Sequence, residues 1–133
     1  MADEDFLAQP NVAVLATVDR KGRPHAAPVW YLYDDGVFTI ATGRGSQKHK
    51  NLEANANVTL VIEKRTLPYF AVMARGAVEL GPGLSPEQRL RLATHYLGAE
   101  LGRRYVERTS GEDSVSIRLR PEKVIEYNGR AGR

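Results

Sequence analysis

The residues best placed to do chemistry form one run, TGRGSQKHKNL, over positions 42–52. Gly43 and Gly45 break the chain ahead of a short helix that opens at Ser46 and continues through Gln47, Lys48, His49 and Lys50. Cations in the first turn of a helix oppose its macrodipole, which favours negative charge at that end. The pattern gives up a little helix stability and gathers backbone N–H groups, a hydroxyl and ammonium groups at one point, which is a ready anion site. The predicted chemistry is the holding of a phosphate, and the phosphate is expected to belong to a cofactor. The same residues also fit a plain N-cap at Ser46 beside a solvated Lys48. Trp30, the sole tryptophan, is open in the same way. A strand tryptophan usually sits in a core, yet Pro28 two residues earlier leaves backbone free of a ladder partner and open to a ligand.

Other chemistries lack their residues. No serine sits in a G-x-S-x-G turn, so no Ser/His/Asp triad is expected. His25, His49 and His95 are scattered and no carboxylate stands at ligand spacing from them, so no metal site is expected. The G-R-G-S turn lacks the G-K-[ST] ending of a P-loop, and there is no G-x-G-x-x-G. The absence of cysteine removes disulfides, thiolate ligands and thiol nucleophiles. No side chain is expected to act as a catalytic nucleophile or acid–base pair.

The elements that must position these residues are mostly strands. A turn or two of helix over 3–9 precedes Pro10. The apolar, β-branched run 12–18 predicts a strand buried on both faces. Asp19-Arg20-Lys21-Gly22 is a turn, and a second strand spans 23–33, with Pro28 marking an edge or a bulge. Asp34-Asp35-Gly36 forms a hairpin turn into a strand over 37–41. After a helix over 46–55 come strands over 58–63 and 69–80, the second with Phe70, Val72, Ala74, Gly76, Val78 and Leu80 on one face. Ser85-Pro86-Glu87-Gln88 reads as a capping box with proline at the first helical position. Leu90, Ala93 and Leu97 give that helix one apolar stripe, with His95 off it and exposed, and Gly98 ends it. A short helix over 101–108 and a last strand over 114–127, bent near Pro121, bring the count to six strands. Six such strands with hairpin joins predict a mainly β fold with short helices, a small closed or split barrel.

The chain of 133 residues is long enough for one domain, over 1–133, and too short for two. With 42% hydrophobic and 26% charged residues it reads as a globular protein. No apolar run approaches the ~20 residues of a membrane span, and the acidic start MADEDFLAQP is unlike a secretory signal. A cytoplasmic protein with no membrane partner is expected. The net charge is +3, and Arg20, Lys21, Arg23, Arg44, Lys48 and Lys50 crowd around the glycine turns. A basic rim attracts an anionic ligand, and the same residues equally make a solvated basic face. Trp30, Tyr31 and Tyr33 fall in one strand and cannot all share a stacking face, so nucleic acid is not the expected partner.

The run 16–62 is similar to the pyridoxamine 5'-phosphate oxidase-like split-barrel superfamily, through D-x-x-G-R-P-H with P-V-W-Y and T-G-R-G-S-x-K-x-x-N-L. Within it the chain resembles most the flavin/deazaflavin oxidoreductases, a branch that includes coenzyme F-420-dependent enzymes. The resemblance implies a six-stranded FMN-binding type of split barrel, paired as a homodimer with cofactors at the subunit interface and each site completed by the partner chain. It implies that Thr42, Ser46, Gln47 and Lys48, with Ala41 beside them, meet the cofactor phosphate, and that Asn51 supports their turn. It implies that Pro28, Val29, Trp30 and Tyr31 run beside the tricyclic ring. Three departures speak against vitamin B6 oxidation. The stretch His25–Tyr31 lacks the arginine and lysine of the true oxidases, Gln47-Lys48 replaces an R-K pair, and the tail reads Tyr127-Asn128-Gly129-Arg130.

The implied cofactor is F-420, with FMN as the alternative. The implied activity is hydride transfer to an unsaturated or quinone-like small molecule, with the chemistry largely the cofactor's own. Arg20, Lys21, Arg23, Arg44 and Lys50 are placed to meet the oligoglutamate tail of F-420. A flavin reductase and a non-catalytic cofactor carrier on the same fold are the competing readings. Residues 83–111 are open either to cap the site or to stand apart from it.

Overall fold

The structure is a computed structural model that describes residues 4–109 and 113–128. After a short helix α1 (Glu4–Leu7), the chain forms β1 (Ala13–Val18), β2 (Pro24–Val29), β3 (Leu32–Asp34) and β4 (Val37–Gly43). Helix α2 (Gln47–Ala54) leads to β5 (Asn57–Glu63) and the long β6 (Phe70–Pro82). A helical pair, α3 (Pro86–Leu97) and α4 (Ala99–Arg108), precedes β7 (Ser114–Leu119) and β8 (Lys123–Asn128). No helix among the described residues is long and apolar enough to cross a membrane.

The strands form one curled antiparallel sheet in the order β2-β1-β5-β6-β7-β4-β3, with β8 also on β6. Strand β6 is the spine. Ala71–Ala77 pairs with β5 and Phe70–Arg75 with β8, while Val78–Pro82 pairs with β7. The corner between β7 and β8 crosses β6 at Gly76, where an added Cβ would lie 3.1 Å from the Glu122 nitrogen and 3.2 Å from Leu119. Glycine there lets Glu122 N–H bond the Arg75 carbonyl at 2.8 Å, and the chain turns at Pro121 to start a new strand. The expected bend is thus a complete break.

The expected second strand is also broken. It stops at Val29 and resumes at Leu32, because Tyr31 N–H donates to the Tyr96 hydroxyl of α3 at 3.1 Å instead of to a ladder. These two breaks correct the six expected strands to eight among the described residues. Asp35 (φ +49°) and Gly36 (φ +80°) make the hairpin turn between β3 and β4, the pair of positive φ values that a type I′ turn requires.

Strand β2 forms an edge, as Pro28 predicts. Pro24 and Pro28 stand opposite Val18 and Val14, and a proline suits only positions whose nitrogen faces away from the ladder. By that alternation Ala26 carries the remaining N–H on the free edge of β2. Strand β1, expected to be buried on both faces, buries one. Ala13, Leu15 and Thr17 are at most 2% exposed, while Val12 and Val14 are 39% and 40% exposed. The core lies inside the curl, where Leu15, Tyr31, Phe38, Ile40, Leu60, Ile62, Val72 and Ile117 pack together. On β6 the expected inward face holds except at Leu80, which is 36% exposed, in the part of the strand that pairs with β7 alone.

Candidate functional site

A cavity of about 630 Å³ opens where the ends of β2 and β4 meet the first turn of α2 and the α3–α4 pair. Pro28, Val29 and Trp30 form one wall, Ala41, Thr42 and Gly43 the floor, and Lys48 the α2 side. The α3–α4 pair closes it with Leu84, Arg89, Leu92, Ala93, Tyr105 and Thr109. Part of the segment 83–111, left open by the sequence, therefore walls the site.

The turn into α2 is built by local hydrogen bonds. Gly45 adopts φ +79°, a conformation that favours glycine, and its N–H donates to His49 Nδ1 at 2.9 Å. His49 is buried, and with Nδ1 accepting, its neutral ring carries the proton on Nε2, 3.5 Å from Glu53. Ser46 is the N-cap and accepts from His49 N–H at 3.2 Å. Its hydroxyl also meets the Thr42 hydroxyl at 3.0 Å, which ties the cap to the cavity floor. Lys48 is half-buried and makes no hydrogen bond or ion pair among the described residues. Lys48, without a side-chain partner among the described residues, and Thr42 thus line one space, and the Ser46 cap joins it through the Thr42 hydroxyl, which is chemistry for an anion.

Gln47 and Asn51 face elsewhere. Gln47 Nε2 donates to Asn51 Oδ1 at 2.7 Å, and the buried Asn51 donates to Thr17 of β1 at 2.9 Å. This bond pins α2 to the sheet. Both residues border a second cavity of about 250 Å³ with Asp19, Arg20, Lys21, Arg23, Lys50 and Glu53. That cavity gathers most of the basic cluster read from the sequence. Arg44 lines neither cavity, and its N–H bonds the Asp113 carbonyl at 2.7 Å. Asp19 fixes the β1–β2 turn by accepting from the backbone N–H groups of Lys21 and Arg23 and from Arg23 Nε. The Arg23 backbone bond leads the causes that hold this carboxyl well below the usual carboxylate range, against the opposing effect of its burial.

The aromatic wall was only half legible in the sequence. Tyr31 is 1% exposed, and its hydroxyl donates into the core to the Leu7 carbonyl at 2.7 Å, so its side chain stands away from the cavity. Trp30 lies flat on Tyr96 of α3, with centroids 4.6 Å and planes 3° apart. The Tyr96 hydroxyl accepts from Tyr31 N–H and donates to the Asn11 carbonyl at 2.7 Å. Burial leads the causes that push the Tyr96 hydroxyl up to about 12. His95, expected to be exposed, is half-buried and stands edge-on to Tyr96 at 5.3 Å. Arg89, Tyr96 and Tyr105 carry no local signal in the sequence. Only the capping box at Ser85 and the close crossing of α3 and α4 bring them to the site. Gly102 permits that crossing, since an added Cβ would lie 2.7 Å from Thr94 backbone atoms.

The described residues contain no cluster of metal-ligating side chains. The Gly129-Arg130 part of the tail lies outside the described residues.

Comparison with known proteins adds four findings. The pyridoxamine 5'-phosphate oxidase family profile matches residues 2–128. A pyridoxine/pyridoxamine 5'-phosphate oxidase of Salinispora arenicola is 31% identical over 153 aligned positions, covering 96% of this chain and 69% of that protein. Among solved structures, an F420 reductase superposes with a TM-score of 0.78 at 27% identity, over 94% of this chain and 97% of its own. Rv2991 of Mycobacterium tuberculosis gives a TM-score of 0.76 at 23% identity over 100% and 89% of the two chains, a likeness of fold.

Proposed function

The chain belongs to the pyridoxamine 5'-phosphate oxidase family, and from that membership we propose that it is an oxidoreductase that binds reduced coenzyme F-420 and passes a hydride to an unsaturated or quinone-like small molecule. The observation that carries the reading is the half-buried Lys48, without a side-chain partner among the described residues, set in the same cavity as Trp30 at the end of β2. In this reading Lys48, Thr42 and Ser46 hold the cofactor phosphate, and Pro28, Val29 and Trp30 flank the ring. Gln47 and Asn51 support the turn from behind. The likeness to the F420 reductase over nearly the full length of both chains supports the same cofactor. Strand β2 offers no arginine or lysine between His25 and Tyr31, which argues against a pyridoxal phosphate substrate.

A reduced deazaflavin, when bound, supplies a hydride. The chain's own residues bind, orient and exclude water. Lys48 neutralises the phosphate, Asn51 holds α2 against β1 so that the ammonium stays in place, and Leu84, Leu92 and Ala93 keep the α3 wall apolar. Two copies are proposed to pair, each completing the other's site. The basic residues around the second cavity, Arg20, Lys21, Arg23 and Lys50, are proposed to meet the oligoglutamate tail.

Titration of the purified protein with F-420 and FMN side by side tests this. Saturable binding of F-420 at least tenfold tighter than FMN is expected. Tighter FMN binding would transfer the site to a flavin enzyme. Tight F-420 binding with no oxidation of the reduced form by any of a broad acceptor panel would make the protein a carrier.

A further inference from the structure

We propose that the α3–α4 side of the cavity is a subsite for a flat, conjugated molecule bearing a carboxylate, read by Arg89 and seated on Tyr105 and Trp30. Arg89 is half-buried and lines the cavity. Its Nη2 donates to the Thr109 carbonyl at 3.1 Å and the Thr109 hydroxyl at 2.7 Å. Both acceptors are neutral, so the side chain is moored with no ion pair among the described residues. Its other N–H groups have no partner among the described residues. Three other arginines of the helical pair are committed to carboxylates, Arg91 to Asp34 and Arg103 and Arg104 to Glu100, while Arg108 is exposed and lies outside the cavity lining. A guanidinium held in this way offers a planar fork that matches a carboxylate.

The surface beside it suits a flat ligand. Tyr105 is 45% exposed, lines the cavity, and tilts against Trp30 at 6.3 Å and 50°. Tyr96 stacks on Trp30 and holds its ring in place, so Trp30 is preorganised for stacking. Lys48 and Asp113 are the other charged residues lining the cavity. Lys48 comes from α2 and is assigned above to the cofactor phosphate. Arg89 comes from α3 and is left for a second ligand, the hydride acceptor. The inference deepens the proposed function by naming the class of that acceptor, and its role in turnover rests on that reading.

Trp30 is the sole tryptophan, so its fluorescence reports occupancy of this wall without any turnover. Cinnamate and the neutral, equally flat cinnamamide serve as probes. Saturable quenching by cinnamate, at least tenfold tighter than by cinnamamide, is expected in the wild type. Arg89→Gln should erase the preference while leaving cinnamamide and F-420 affinities unchanged. Arg89→Lys should restore part of it, and Tyr105→Ala should weaken both probes. Equal affinity for the two probes, no saturable binding of either, or a preference that survives Arg89→Gln and disappears in Lys48→Gln would overturn the subsite. Loss of F-420 binding with the cinnamate preference intact would overturn the cofactor reading alone.

Discussion

Helices α2 and α3 both start from a serine N-cap with nearly the same torsions, −64° and 165° at Ser46 and −64° and 161° at Ser85. They then diverge. At Ser85 the cap closes on itself: Gln88 N–H donates to the Ser85 hydroxyl, and the Gln88 side chain accepts from Ser85 N–H. Glu87 adds a negative charge in the first turn, which the helix dipole favours. At Ser46 the third helical residue is His49, whose side chain turns back to Gly45. The first turn holds no acid and carries Lys48. One cap is finished for stability. The other leaves its charge balance to be completed from outside. The same local motif can thus be closed by its own residues or, as in the proposed function, left to a ligand, and the residues at its second and third helical positions make that difference.

The sharpest way to break the comparison is Lys48→Ala. Charge-assisted bonds contribute about 1.5–3 kcal/mol, so phosphate-bearing cofactor affinity should fall by roughly tenfold to a hundredfold. The apo melting temperature should stay level or rise slightly, since a cation leaves the positive end of a dipole. A drop in apo stability with affinity untouched would return Lys48 to the role of a solvated lysine.

Alkaline titration separates the helices next, because α3 is held to the barrel by a phenol and α2 is not. The Tyr96 hydroxyl is raised to about 12, so its protonated form is the one the fold favours. Its contribution is fully present below about 10, the ordinary tyrosine value, and is lost as pH rises through about 12. After allowance for solvent screening, the loss should be about 1–2 kcal/mol. It is measured as the part of the fall in stability over that window that Tyr96→Phe removes, since Tyr33, also raised to about 12 chiefly by burial, contributes its own share.

Serine replacements come third. Ser85→Ala should cost about 1 kcal/mol in a denaturant melt and leave cofactor affinity alone. Ser46→Ala should cost a similar stability and also weaken the cofactor, because its hydroxyl is shared with Thr42. Equal effects of the two on affinity would erase the distinction. The smallest effect is expected from Glu87→Lys, which gives α3 the wrong charge that α2 already carries. It should lower stability by about 0.3–1 kcal/mol without creating phosphate binding, as read by melting and by phosphate titration.

Much of this was legible along the chain because its causes are local. The positive φ at Asp35 and Gly36, the caps at Ser46 and Ser85 and the stop at Gly98 each depend on residues within four positions. The exposed face of β1 was not legible. Val12 and Val14 read as core by type, and only the position of β1 within the curl turns them outward. The break at Trp30–Tyr31 has its cause 65 residues away, in the hydroxyl of Tyr96. The second break needs Gly76 on β6 and Pro121 in the link between β7 and β8. Of the residues lining the cavity, Pro28, Val29, Trp30 and Lys48 sit in contiguous motifs that the sequence displays, whereas Tyr31 and Gln47 of the same motifs point away from it. Arg89 and Tyr105 could not be named in advance, since two helices must fold back across Gly102 before either reaches Trp30.

The two prolines of β2 have a consequence beyond the cavity. An edge strand with a full row of free N–H and C=O groups invites another chain to zip onto it, and long assemblies grow by that route. With Pro24 and Pro28 at the outward positions, β2 offers a newcomer almost no donors. Along this edge the protein can thus be crowded with its own copies and still decline to recruit them strand by strand.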